Sequence, residues 1–398
     1  MKVPFFRIDA GGNELEYVRE VLASGWLTSG RRVQDFESMF AEAVGAEHAI
    51  AVNSCTAALH LACEAAGIGP GSEVLVPTLT FTSTAEIVEY LGGRVRLVDV
   101  DPDTALLTPE ILEDALDRFP AVTAVIPVHF GGRACDMRND SSQGIVDLCE
   151  ARGVAVVEDA AHAFPARYDD ARPVGSAIGS TACCFSFYAN KTMTTGEGGM
   201  VTTDDEETAD RMRRMRLHGI DRNAWDRHHR VGASWEYDVV AAGYKYNLTD
   251  LAAAIGVAQL ERQAAFHEAR MSLVERYRER LAGLPGLRLP PELANPAFDA
   301  WHLFVIHVEP NAPCDRNELI SQLAAKGVGT SVHYRPLHTM THWAQTASMD
   351  PAGYRNADRW FDGCISLPLF PSMTDPEFEH VTDVIAQSFT GGFKTVGA

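Results

Sequence analysis

The chain holds five lysines, Lys2, Lys191, Lys245, Lys326 and Lys394, against 29 arginines. Chemistry that needs an amine therefore has few candidates. Lys191 stands in Phe185-Ser-Phe-Tyr-Ala-Asn-Lys191-Thr-Met-Thr-Thr-Gly-Glu-Gly-Gly-Met200. There an apolar strand pattern runs into the lysine, then into a glycine-rich turn and a second strand. An amine delivered by a buried strand is partly desolvated, which lowers its pKa and frees a nucleophile. The glycines let the backbone pass close to a flat or anionic group. The same pattern also fits a solvated lysine on a tight turn. Lys245 is the rival amine, but no apolar strand leads into it.

Four further segments carry polar residues that could do chemistry, three of them at the ends of apolar runs. Val154-Ala-Val-Val157-Glu-Asp159-Ala-Ala-His162 reads as a buried strand ending in carboxylates. Parallel sheets bind ligands at the carboxyl ends of their strands, which puts Asp159 at the usual crevice. A carboxylate there suits the ring nitrogen of pyridoxal phosphate, PLP, because it keeps that nitrogen protonated and the ring electron-accepting. Asp159 also fits a helix N-cap, and His162 fits either a cofactor contact or a satisfied structural role. In Ala51-Val-Asn53-Ser-Cys55-Thr56-Ala-Ala-Leu59 a polar turn opens an amphipathic helix, whose first N–H groups and dipole suit a phosphate. Ordinary capping explains it equally. Phe81 in Thr78-Leu-Thr-Phe81-Thr-Ser-Thr84 either stacks on a flat ring or anchors the core. His333-Tyr334-Arg335-Pro-Leu-His338 brings two histidines and a cation together, but lacks the carboxylate or third ligand that a metal site needs. No metal is expected.

The elements that must position these residues alternate along the first two thirds of the chain. Strands are predicted at Val74–Val76, Val95–Val98, Thr123–Val128, Val154–Val157, Thr181–Phe187 and Met200–Thr202. Helices are predicted at Thr56–Ala66, Pro109–Arg118, Ser141–Ala151 and Glu206–Leu217. This alternation implies a mostly parallel sheet covered on both faces. A long helical pattern spans Thr249–Leu281, and the remainder mixes a strand at Leu303–Val308 with helices at Arg316–Lys326 and Asp375–Gln387. A length of 398 residues exceeds what one core usually holds. Two domains are expected, residues 1–257 for the cofactor and a smaller C-terminal α/β domain at 258–398.

Composition narrows the partners. A net charge of −20 disfavours nucleic acid and anionic lipid. No apolar run approaches the ~20 residues of a membrane helix. The start, Met1-Lys-Val-Pro-Phe-Phe-Arg7, lacks a signal peptide's apolar core. The eight cysteines contain no Cys-x-x-Cys pair and read as buried hydrophobes of a reducing cytoplasm. The absence of an early Gly-x-Gly-x-x-Gly disfavours a nicotinamide oxidoreductase.

Seven motifs in order resemble the DegT/DnrJ/EryC1/StrS family of PLP-dependent nucleotide-sugar aminotransferases over nearly the whole chain. They begin at Ser24-Gly-Trp-Leu-Thr-Ser-Gly30 and continue through Asn53–Leu59, Glu158–His162 and Phe185–Lys191 with Thr195–Gly199. They end with Tyr246–Asp250, His333-Tyr334 and Ser366-Leu-Pro-Leu-Phe-Pro371. Gly243–Ile255 and Trp301-His-Leu-Phe304 look closest to the enzymes that aminate C4 of a 4-keto sugar nucleotide, either a 4-keto-6-deoxyhexose or a UDP-4-keto-pentose.

The resemblance implies PLP fold type I, the aspartate-aminotransferase-like architecture, and a homodimer with shared active sites. Lys191 matches the Schiff-base lysine, and Asp159 the partner of the ring nitrogen. His162 and Phe81 match residues beside the ring, while Cys55, Thr56 and Ser186 match the phosphate site. Asn247 matches an asparagine that reaches the phosphate from the other subunit. L-Glutamate is the implied amino donor. His333, Tyr334 and His338 are candidate contacts for the keto sugar nucleotide, and Arg31, Arg32 and Arg335 candidate cations for its diphosphate. Family members with histidine for the lysine are sugar dehydratases, so Lys191 argues against that reaction. A 3-keto aminotransferase and a non-catalytic PLP-fold regulator stand as alternatives.

Overall fold

The computed structural model describes residues 1–138, 143–176, 178–221 and 237–390. Seven strands make the main sheet: β1 His48–Val52, β2 Glu73–Pro77, β3 Arg94–Val98, β4 Val122–Val125, β5 Ala155–Asp159, β6 Ala182–Ser186 and β7 Gly199–Thr203. Their spatial order is β1-β7-β6-β5-β4-β2-β3. The pairs from β3 to β6 are parallel, and β7 runs antiparallel to both of its neighbours. Most of these strands are apolar and nearly fully buried, as a sheet covered on both faces requires.

The helices of this part are α1 Glu14–Ser24, α2 Arg31–Val44, α3 Cys55–Ala65, α4 Ser83–Tyr90, α5 Pro109–Arg118, α6 Ile145–Arg152, α7 Glu206–Met215, α8 Asp250–Leu260 and α9 Gln263–Leu281. The start predicted for α6, Ser141, lies outside the described residues. The long pattern Thr249–Leu281 folds as two helices, not one. At the break, Arg262 leaves helical geometry at φ −109° and ψ 0°. Its guanidinium pairs with Asp9 at 2.9 Å, while Glu261 accepts from Tyr17 Oη at 2.8 Å. Contacts to the N-terminal segment thus hold a bend that the apolar periodicity does not show. Strand β4 is shorter than predicted and stops at Val125. Val128 returns only as a single bridge to Asp159.

A second sheet, β10-β9-β8, is antiparallel. It comprises β8 Leu287–Arg288, β9 Phe304–Val308 and β10 Cys364–Leu367, flanked by α10 Arg316–Ala325, α11 Thr341–Thr346, α12 Arg355–Gly363 and α13 Asp375–Phe389. The described residues form two apolar cores. The larger is built around Phe36, Phe40, Phe164, Phe185 and Phe187, and it also takes in Ala300, Leu303, Leu337 and Trp343. The smaller joins Val3, Tyr277, Phe304, Ile306, Phe378 and Ile385. Tyr277 stacks on Phe304 with centroids 5.0 Å apart. All eight cysteines are free thiols.

Candidate active site

The carboxyl ends of β5 and β6 and the start of β7 meet the N-terminus of α3. Register sets the alignment: Asp159 lies opposite Cys184 on β6, and Ser186 opposite Gly199 on β7. The loop from β6 to β7 carries Lys191, its backbone N–H bonded to Tyr188 O at 3.0 Å. The half-buried amine sits near Asp159 and Cys55. Burial brings its pKa down to about 8, and the neighbouring Cys55 and Asp159 oppose that fall.

No helix follows β5 among the described residues, so the N-cap reading of Asp159 does not hold. Its Oδ1 accepts from Ala161 N–H at 3.1 Å and its Oδ2 from Thr84 Oγ1 at 2.7 Å. Burial raises the Asp159 pKa; these two bonds and the Lys191 charge oppose it. Thr80 Oγ1 extends the chain to Thr84 Oγ1 at 2.9 Å. Thr84 escapes the sequence reading because its loop draws attention only through Phe81. Behind Asp159, on the other face of β5, Glu158 Oε2 accepts from Tyr168 Oη at 2.8 Å and lies 2.8 Å from His129 Nε2. Because His129 Nδ1 accepts from Cys135 N–H at 3.0 Å, the ring proton sits on Nε2 and is donated to Glu158. His129, Glu158 and Cys183 bring three metal-type donor atoms within 4.8 Å. The first two already satisfy each other.

Helix α3 is capped by Ser54, whose Oγ accepts from Ala57 N–H at 3.1 Å. The N–H groups of Cys55 and Thr56 have no carbonyl inside the helix to pair with, which makes this turn a fit for a phosphate. Gly199 lets β7 touch it: a Cβ there would lie 2.5 Å from Ser54 O and 2.8 Å from Cys55 N. An amine, a carboxylate and an anion-binding turn thus converge, the donor set that the aldehyde, ring nitrogen and phosphate of PLP require.

His162 Nδ1 accepts from Gly131 N–H at 3.2 Å, and its Nε2 lies 3.0 Å from Tyr334 Oη. The backbone donor fixes the tautomer, so Nε2–H donates to Tyr334 and the phenol proton is free to point elsewhere. Burial, with Lys191 and His333 beside it, pushes the His162 pKa well below the ordinary value. Phe81 is exposed, its ring 6.2 Å from that of Tyr334. His333 Nδ1 pairs with Ser366 Oγ at 2.7 Å.

The remaining sequence candidates sit on other elements, although the Lys245–Asn247 segment runs beside the approach to α3, with Asn53 N–H bonded to Tyr246 O at 2.7 Å. His338 binds Thr78 Oγ1 at 2.8 Å and Asp358 Oδ1 at 3.0 Å, so both ring nitrogens are engaged in tying α12 to the loop after β2. Asn247 donates to Ser29 Oγ at 2.7 Å and lines an open cleft with Gly30, Arg213 and Arg216. Arg31 is exposed at the start of α2. Arg32 pairs with Glu20, and Arg335 with Thr339. Lys245 pairs with Asn247.

A seven-stranded sheet with one antiparallel strand, a desolvated lysine at its carboxyl edge and a small antiparallel sheet define a fold type I PLP aminotransferase. Residues 9–386 match the DegT/DnrJ/EryC1/StrS aminotransferase family, and the chain belongs to it. It is a PLP-dependent transaminase of the nucleotide-sugar type.

The chain is 43% identical over 383 residues to the spore coat polysaccharide biosynthesis protein SpsC of Bacillus subtilis (strain 168), covering 96% of this chain and 95% of that protein. The crystal structure of aminotransferase TlmJ from Streptoalloteichus hindustanus superposes with a TM-score of 0.85 at 32% identity, covering 98% and 99% of the two chains. The PMP form of the putative sugar aminotransferase Spr1654 from Streptococcus pneumoniae gives 0.86 at 29% identity, covering 98% and 100%. Among the described residues no helix is long and apolar enough to cross a membrane.

Proposed function

We propose that this transaminase moves the amino group of L-glutamate to C4 of a nucleoside-diphosphate 4-keto-6-deoxy sugar, acting as a cytoplasmic homodimer. The observation that carries the reading is the desolvated Lys191 amine facing Asp159 and the α3 start. PLP, when bound, supplies an electron-accepting ring that carries nitrogen between two substrates. The N–H groups of Cys55 and Thr56, with Ser186, hold the phosphate. Asp159, whose anionic form is favoured by the bonds from Thr84 and Ala161 against the effect of burial, keeps a proton on the ring nitrogen. Lys191 Nζ takes the proton from Cα of the amino donor and later returns one to the sugar carbon that gains the amine. Tyr334, relieved of donating to His162, presents its hydroxyl proton to the substrate side.

The C4 assignment draws on Gly243–Ile255 and Trp301–Phe304, and the sugar assignment is supported by the polysaccharide and sugar roles in the names of SpsC and Spr1654. The test is product identification by NMR after parallel incubations with 3-keto and 4-keto sugar nucleotides plus glutamate. An amine at C4 supports the reading. An amine only at C3, or turnover of small keto acids without a nucleotide, overturns it.

A further inference from the structure

His302 is 4% exposed, and neither of its ring nitrogens has a hydrogen-bond partner. A buried imidazole with both nitrogens unpaired is costly, and native folds rarely keep one without a use. Its position is tightly fixed. The backbone on either side is pinned to the turn at Phe130–Gly132, with Ala300 N–H bonded to Gly132 O at 3.0 Å and Leu303 N–H to Gly131 O at 2.9 Å. Trp301 sits at φ +48°, a region that bulky residues avoid, held there by its N–H on Asp299 Oδ1 at 2.7 Å. The same turn donates Gly131 N–H to His162. One loop therefore orients both imidazoles, whose centroids are 4.4 Å apart.

The groups facing His302 are basic: His162, Lys191, Arg270 and His333. Arg270 is itself buried, and among the described residues its guanidinium bonds only the carbonyls of Trp301 at 3.2 Å and Leu369 at 2.8 Å, with Nε unpaired. The nearby carboxylate of Asp299 is turned to Trp301 N–H and Arg133. Two unpaired nitrogens whose charged neighbours among the described residues are basic, with Asp299 engaged elsewhere, match an incoming anion better than a neutral hydroxyl.

We propose that His302 receives a carboxylate of the amino donor and takes up a proton from solvent as that carboxylate binds. As the neutral free state, His302 is held uncharged by burial and by its basic neighbours. The arriving anion reverses that balance. The proposal rests on the reading of the chain as a glutamate-dependent transaminase.

The test uses the PLP-loaded enzyme and glutarate, a dicarboxylate without the amine and hence unreactive. Calorimetric titration near neutral pH in two buffers of different ionisation heat counts the protons bound. Wild type is expected to bind glutarate with uptake of about one proton. His302→Gln is expected to weaken binding about tenfold or more, with that uptake lost. Binding without proton uptake, no binding to wild type, or equal affinity in the variant each overturns the proposal. The wild-type proton count stands even if His302→Gln fails to fold, and His302→Phe provides a second comparison. L-Glutamate added to the wild-type holoenzyme tests the underlying reading separately. If it leaves the cofactor absorbance unchanged, glutamate is not the donor. If the absorbance converts while glutarate shows no dependence on His302, only the present proposal fails.

Discussion

A lysine that works as a base near neutrality cannot remain a solvated ammonium with a pKa near its ordinary ~10.4. Burial brings Lys191 to about 8. Only the free amine accepts a proton, so the transamination rate is expected to rise with pH up to about 8 and then level. A steady-state profile that stays flat through that range would contradict Lys191 as the base. Lys191→Ala is expected to abolish turnover and the visible band bleached by borohydride, while Lys245→Ala keeps both. The reverse result would move the covalent link to Lys245. Beside it, Asp159→Asn should still bind PLP but slow proton transfer about 10²-fold or more, because an amide cannot keep the ring nitrogen protonated. Thr84→Val removes the 2.7 Å bond to Asp159 Oδ2, a loss of about 1 kcal/mol or roughly fivefold in rate. Single-turnover kinetics with glutamate measure both, and wild-type rates in either variant would remove its residue from the reaction.

Strand ends place these side chains, and strand ends are what a sequence displays best. An apolar run of four residues, Val154–Val157 closed by Glu158-Asp159 or Ala182–Phe185 closed by Ser186, can be read directly, because a buried strand and its polar terminus leave opposite signatures. Strand β1 is less legible: His48-Ala-Ile-Ala-Val52 is short, begins on a polar residue and lies at the edge of the sheet beside β7. The bend between α8 and α9 is hidden because its cause lies some 250 residues away, in Asp9 and Tyr17. Likewise His162, His302 and Tyr334 come together only through tertiary packing, so a local pattern reveals each residue but not the cluster. The contact of β7 with α3 gives a prediction at this scale. Gly199→Ala places a methyl group 2.5 Å from Ser54 O, overpacking that costs about 1–3 kcal/mol. The helix start must shift, so PLP affinity measured by equilibrium dialysis should fall along with the thermal midpoint. A lower midpoint with unchanged PLP affinity would separate α3 from phosphate binding.

A molecule at net charge −20 that takes a doubly charged nucleotide must gather cations locally. Around Lys191 the described basic groups are few and buried. Meanwhile Asn247, Arg213 and Arg216 line an open cleft. An asparagine that matches a phosphate contact and lines this open cleft is expected to serve the site of a second copy related by two-fold symmetry. Light scattering should accordingly report a dimer. Lys191→Ala and Asn247→Asp chains should each be inactive alone, the first for want of the amine, the second because a carboxylate repels the phosphate. In a mixed dimer one site combines an intact Lys191 with an intact Asn247, and the other lacks both. Random exchange makes half the dimers mixed, so roughly a quarter of wild-type sites should return. Activity recovered near that level after subunit exchange supports a shared site. No recovery from folded, exchanging parents, or a monomeric protein, would confine Asn247 to the Ser29 contact it makes within its own chain.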